Sequence, residues 1–150
     1  MSYDTERRAI ETYFAAQWGA TTPLGMIDHP FEPAADSVQL GLLGGRVLQG
    51  SVGRVANRKD HVGVLTATIF TEGDRGRSAW TAYAETMQGF LEEVTIDSAG
   101  AAITATADAF VRFSPPGLSG IQHPYVQSST KEPPFTRTVV AAPFVRYEYR

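Results

Sequence analysis

The sequence contains no cysteine, which excludes disulfides, thiolate zinc sites and cysteine nucleophiles and leaves the redox compartment open. Histidine is scarce as well, with three in the chain, and none falls in an HExxH or H-x-H spacing suited to a metal. No run approaches the roughly 20 apolar residues that a membrane-spanning helix needs. The polar opening Met1-Ser-Tyr-Asp-Thr-Glu-Arg-Arg is unlike a signal peptide. A soluble chain made in the cytoplasm is therefore expected. Charge of one sign is also lacking: 13 Lys plus Arg against 16 Asp plus Glu leave a net −3. That balance argues against tight nucleic-acid binding through phosphate neutralisation.

What remains is ordinary globular material, 150 residues with 43% hydrophobic and 19% charged side chains. A chain of this length forms one domain, residues 1–150, and buries about two-thirds of its surface on folding. Ile10, Tyr13, Phe14 and Trp18 recur at helical spacing, and Gly19 and Pro23 end that helix. Ser2 or Asp4 can cap it. A second helix places Trp80, Tyr83, Ala84, Met87 and Leu91 on one face, with Ser78 as its cap.

Strands are read from alternation. Val38, Leu40 and Leu42 form a half-buried strand, and His61–Thr71 reads as a central strand covered on both faces. Between them a glycine-rich window carrying Arg46, Arg54, Arg58 and Lys59 predicts a Gly-interrupted pair or a long hairpin. Residues 103–113 alternate as a long strand. Residues 136–149 look like another, which Pro143 confines to an edge or a bulge. Between these, residues 118–135 hold Pro124, Pro133 and Pro134 and read as an irregular arm. The expected fold class is α+β: a mainly antiparallel sheet packed against two helices, with a long hairpin and a Pro-rich C-terminal arm.

No constellation for catalysis emerges. The glycine window lacks the Gly-Lys-Ser/Thr of a P-loop and leads into no helix, and the nucleophile elbow G-x-S-x-G is absent. Glu92-Glu93 sits at a helix C-terminus, where the dipole disfavours it. Asp28-His29 and Asp60-His61 are not dyads, because neighbours in an extended chain point apart. Catalytic residues, metal ligands and cofactors are accordingly expected to be none. The cationic set Arg46, Arg54, Arg58 and Lys59 suits a protein contact. The apolar residues Tyr125 and Phe135 on the arm need a cover, from their own domain or from a neighbouring subunit.

The layout itself carries a resemblance. The helix Arg8-Ala-Ile-Glu-Thr-Tyr-Phe14 ends in Trp18, and the step Pro30-Phe31-Glu32-Pro33 leads to the Val38–Leu43 strand. A glycine-arginine hairpin follows, and Gly63-Val-Leu-Thr-Ala-Thr-Ile-Phe70 then runs into the Trp80 helix. Over residues 5 to 113 this order resembles the tail terminator, or tail completion, proteins of long-tailed bacteriophages and prophage-derived particles.

The resemblance implies a non-enzymatic protein of the virion tail or neck, assembled in the host cytoplasm. Such a protein forms a hexameric ring on the tail tube protein, stops its polymerisation and meets a head-tail connector or stopper protein. DNA passes through the ring without sequence-specific binding. Six copies at −3 sum to about −18, and an acidic lumen would repel phosphate. Two other readings stand beside it. One is a different neck or minor tail protein; the other is a small ligand-binding domain or enzyme using Arg58, Asp60 and His61 at a pocket mouth.

Overall fold

The computed structural model describes residues 3–19, 22–29, 32–49, 58–73, 77–104, 109–117 and 120–149. Helix α1 spans Tyr3–Trp18 and buries Ile10, Tyr13, Phe14 and Trp18, the four residues its periodicity singles out. Gly19 closes it in the left-handed region at φ 63°, donating to the Ala15 carbonyl at 2.9 Å, as a C-terminal glycine does. Asp4 lies inside the helix rather than before it. There it binds Arg7 and Arg8 one turn on, and Ser2 lies outside the described residues. Helix α2 spans Ser78–Leu91 and buries Ala79, Trp80, Ala84, Met87 and Leu91. Its N-cap is Arg77, without a side-chain bond, so Ser78 is the first helical residue and not the cap.

The strands are β1 (Leu24–Gly25), β2 (Ser37–Gln49), β3 (Arg58–Glu72), β4 (Thr95–Ile96), β5 (Val111–Phe113), β6 (Pro116–Gly117), β7 (Gly120–Ile121), β8 (Tyr125–Glu132) and β9 (Phe135–Tyr149). Seven of them form one sheet in the order β1-β2-β3-β9-β5-β4, with β8 also on β9, while β6 and β7 pair separately. Apart from the parallel β1–β2 contact the pairing is antiparallel. This is the expected α+β architecture.

Register explains where the core sits. Leu40, Ala67, Val140 and Leu65, Ala142 stand opposite one another across β2, β3 and β9, and both helices cover that face in one continuous cluster. Phe14 meets Phe90 at 5.1 Å, Tyr13 meets Phe113 at 6.2 Å, and Phe113 meets Phe144 at 6.0 Å. Aromatic pairs in this range add to the area they bury. The Tyr13 hydroxyl donates to the Phe90 carbonyl, tying α1 to the end of α2. The other face of β3 is not covered as expected: Val62, Val64, Thr66 and Thr68 are only half-buried. Both helices lie on one side of the sheet, so β3 has one dry face.

Three further expectations are corrected. The strand expected over 103–113 is reduced to Val111–Phe113, with an isolated bridge from Ile96 to Ala102; residues 105–108 lie outside the described ones. Among the described residues, 103, 104, 109 and 110 lie outside any strand. Strand β9 is interior, flanked by β3 on one side and by β8 and β5 on the other. Pro143 is tolerated because it faces the gap between Tyr125, the first residue of β8, opposite Ala141, and Phe113, the last of β5, opposite Phe144. Its carbonyl accepts from Ser114 on that side at 3.2 Å, so its missing N–H also faces the seam between the two strands. Residues 125–132 form a strand hairpinned onto β9, with a register irregularity between Val126 and Ser128, because Val126 turns inward to the core cluster and the prolines fall at the ends of the strand.

Gly63 is a close-approach position. A Cβ there would stand 2.7 Å from the Phe144 ring and 3.0 Å from the Leu43 carbonyl. Since that carbonyl belongs to the paired strand and cannot retreat, Gly63→Ala is expected to cost about 1–3 kcal/mol by overpacking. Equilibrium denaturation checks this, and an unchanged midpoint would contradict it.

Candidate functional site

The sequence points first to the β2–β3 hairpin. Beyond Gly44 the two strands continue together, with a register irregularity between Gly44 and Val47. Leu43, Val47 and Leu48 are exposed there at 59%, 50% and 51%. Arg46 is exposed at the irregularity, and Arg54 lies outside the described residues. The remaining cations do not form one patch. Successive strand residues alternate faces, so Lys59 lies on the helix side with His61 while Arg58 and Asp60 lie on the other. Arg58 binds Asp60 at 2.9 Å and stacks on the Tyr147 ring at 5.0 Å. The structure thus brings Arg58 to Asp60 and separates both from His61, which undoes the three-residue pocket mouth.

The two apolar residues of the C-terminal arm part company as well. Phe135 folds back on its own chain, its ring 6.1 Å from Phe70. Tyr125, at the start of β8, stays 48% exposed. Glu92 of the acidic pair reaches His123 at 3.2 Å on the surface, and the Glu93 N–H donates to Ser114 Oγ.

A second cluster was not legible from spacing. Under the first turns of α1, Arg146 is 1% exposed; its Nε donates to Glu6 Oε1 at 3.1 Å and its guanidinium lies 4.9 Å from the Tyr3 ring. His61 Nε2 bonds Glu148 Oε2 at 2.7 Å, and His61 Nδ1 stands 3.4 Å from the Tyr3 hydroxyl. A cavity of about 230 Å³ opens beside them, lined by Tyr3, Glu6, Ile27, Leu42, His61 and Phe144 among others. The one available signal was parity: from Phe144, Arg146 and Glu148 fall on the core-facing side of β9.

Burial pushes the Glu6 carboxyl above the ordinary glutamate value of 4.5, while the Arg146 guanidinium pulls it back. A raised carboxyl holds its proton more tightly folded than unfolded. Its contribution to stability is therefore full below 4.5 and lost as pH rises through the folded value. Relative to Glu6→Gln, the native chain should lose stability across that rise. Denaturation series from about pH 4 to about pH 7 check this, and a pH-independent difference would contradict it.

Among the described residues no group of three or more His, Asp or Glu is placed to hold a metal ion, and no helix is long and apolar enough to cross a membrane. No protein-family model matches the chain, and no curated protein matches it. A solved structure, of a protein whose name describes no function, superposes with a TM-score of 0.66 over 100% of this chain and 99% of that one, at 18% identity. At that identity the likeness shows a shared α+β fold, and nothing about activity follows from it.

Proposed function

We propose that this chain is a structural assembly protein, a ring-forming tail terminator that caps a tail tube, stops its growth and presents a surface to the head. The observation that carries the reading is the hairpin end of β2, where Leu43, Val47 and Leu48 are exposed together. Apolar side chains grouped on a strand outside the core call for a protein partner. The order of helix, long hairpin, helix and returning strands is also that of the resemblance described above. A ring requires two different surfaces on each copy that fit one another. The balanced, slightly acidic composition suits a lumen that lets DNA pass.

Loss of the chain is the functional test. Particles assembled without it should carry tail tubes that run past their normal length and fail to join heads. Tubes of normal length joined to heads would overturn the reading. Charge removal addresses the hairpin separately: neutralising Arg46, Arg54 and Lys59 together, with Arg58 left to hold Asp60 and Tyr147, should leave the folding midpoint unchanged and reduce head-tail joining. Normal joining would make the hairpin a solvated loop.

The pocket under α1 favours a second reading, a small ligand-binding domain, because a His61–Glu148 pair beside a cavity can orient a polar ligand. A thermal-shift screen with nucleotides, metals and acyl compounds separates the two, since a ligand that binds only the native state raises its stability.

A further inference from the structure

We infer that neighbouring copies of this chain join by strand addition, the free edge of β2 in one copy pairing with the outer edge of β8 in the next. The inference rests on the assembly reading and names its junction. Strand β1 covers β2 only at Val38 and Gln39, so among the described residues nothing pairs with Leu40–Gln49 on the side away from β3. Apart from the irregularity between Gly44 and Val47 and one cation, this stretch lacks the usual protections of an edge. It is long, it carries three exposed apolar side chains, and its single charge is Arg46. At Gly44 a Cβ would meet nothing within 4 Å, so the backbone there is open to close approach by another strand.

The same chain supplies a second free edge. Strand β8 pairs with β9 alone, and its other side has no partner among the described residues. Its side chains Ser128, Ser129 and Thr130 are exposed, and its charges Lys131 and Glu132 cancel. Tyr125, exposed at 48% on the face away from the helices, offers an aromatic cover for Leu43 and Leu48 on that same face.

Placement selects this pairing over a two-fold one. The free part of β2 lies level with the C-terminal half of β9, while β8 lies along its N-terminal half. The two edges therefore occupy opposite sides and opposite ends of the sheet. Joining them steps each copy along the strand direction, a heterologous contact that repeats until it closes. A staggered, tilted sheet is the geometry that closes into a barrel. Pairing β2 with β2 would instead place two Arg46 side chains on one short ribbon, where like charges oppose each other, and would stop at a dimer.

A chain without native cysteine allows a clean test. Leu48→Cys and Ser128→Cys place thiols on the two edges, on the sheet face away from the helices. In assembled tails, a short bis-maleimide should convert the double variant into a covalent ladder beyond the dimer, while each single variant stays monomeric on a denaturing gel. Dimers from Leu48→Cys alone would overturn the inference in favour of two-fold pairing. A monomeric double variant on tails that still show rings would also overturn it and leave the assembly reading standing. Tails that never incorporate the unmodified chain would instead remove the assembly reading itself.

Discussion

Replacing Phe14 by alanine is expected to lower the stability of the fold by about 3–5 kcal/mol. Phe14 is 0% exposed and stands at the meeting point of the two helices, its ring 5.1 Å from Phe90 and 6.1 Å from Trp18. Truncation removes the transfer energy of the ring and leaves a void that the surrounding aromatics, held by the sheet below, fill only in part. A whole domain has about 5–15 kcal/mol to lose, so the variant is expected near the threshold of folding. Chemical denaturation of wild type and Phe14→Leu alongside it reads the effect even if Phe14→Ala is unfolded, since the leucine variant refills part of the space. A loss below about 1 kcal/mol for the alanine variant would mean that α1 does not pack as described.

The second large effect is expected at Arg146. Its guanidinium is fully enclosed and holds Glu6, itself 7% exposed. Removing one partner of a buried ion pair leaves the other charge desolvated, which costs about 3–5 kcal/mol. Arg146→Met should therefore destabilise strongly and loosen the first turn of α1, because Tyr3 loses the cation beneath its ring. Adding Glu6→Leu to Arg146→Met should recover part of the loss, since two apolar side chains can take the place of a buried pair. Equal or greater destabilisation in the double variant would contradict the pairing.

How much of this was readable in the sequence depends on the range of the interaction. The faces of α1 and α2 follow from local periodicity: Ile10, Tyr13, Phe14 and Trp18 on one, Trp80, Met87 and Leu91 on the other are buried. The Gly19 stop is equally local. Pro143 was misplaced because a proline rule speaks of edges, whereas here an interior strand changes neighbours opposite it. Of the strand expected over 103–113, the described residues keep Val111–Phe113 alone. The cluster around Arg146 could not be found from spacing at all. Its partner Glu6 is 140 residues away and the Glu148 partner of His61 is 87 residues away. Asp60 and His61 touch in sequence and point to opposite faces, as neighbours in an extended chain do.

These same nonlocal pairings produce the surfaces on which the assembly reading rests. β3 and β9 form the long, fully paired centre of the sheet, and this leaves β2 free along one side and β8 along the other. Exposed Leu43, Val47 and Leu48 then lie where a neighbour can cover them, while the ionic cluster fixes the start of α1 on the opposite side from Leu43.

Electron microscopy of particles carrying a tagged copy of this chain is the most direct measurement. The account predicts six tags in a closed ring at the head-proximal end of the tail tube. Tags absent from the particles, or scattered along the tube as single copies, would contradict it.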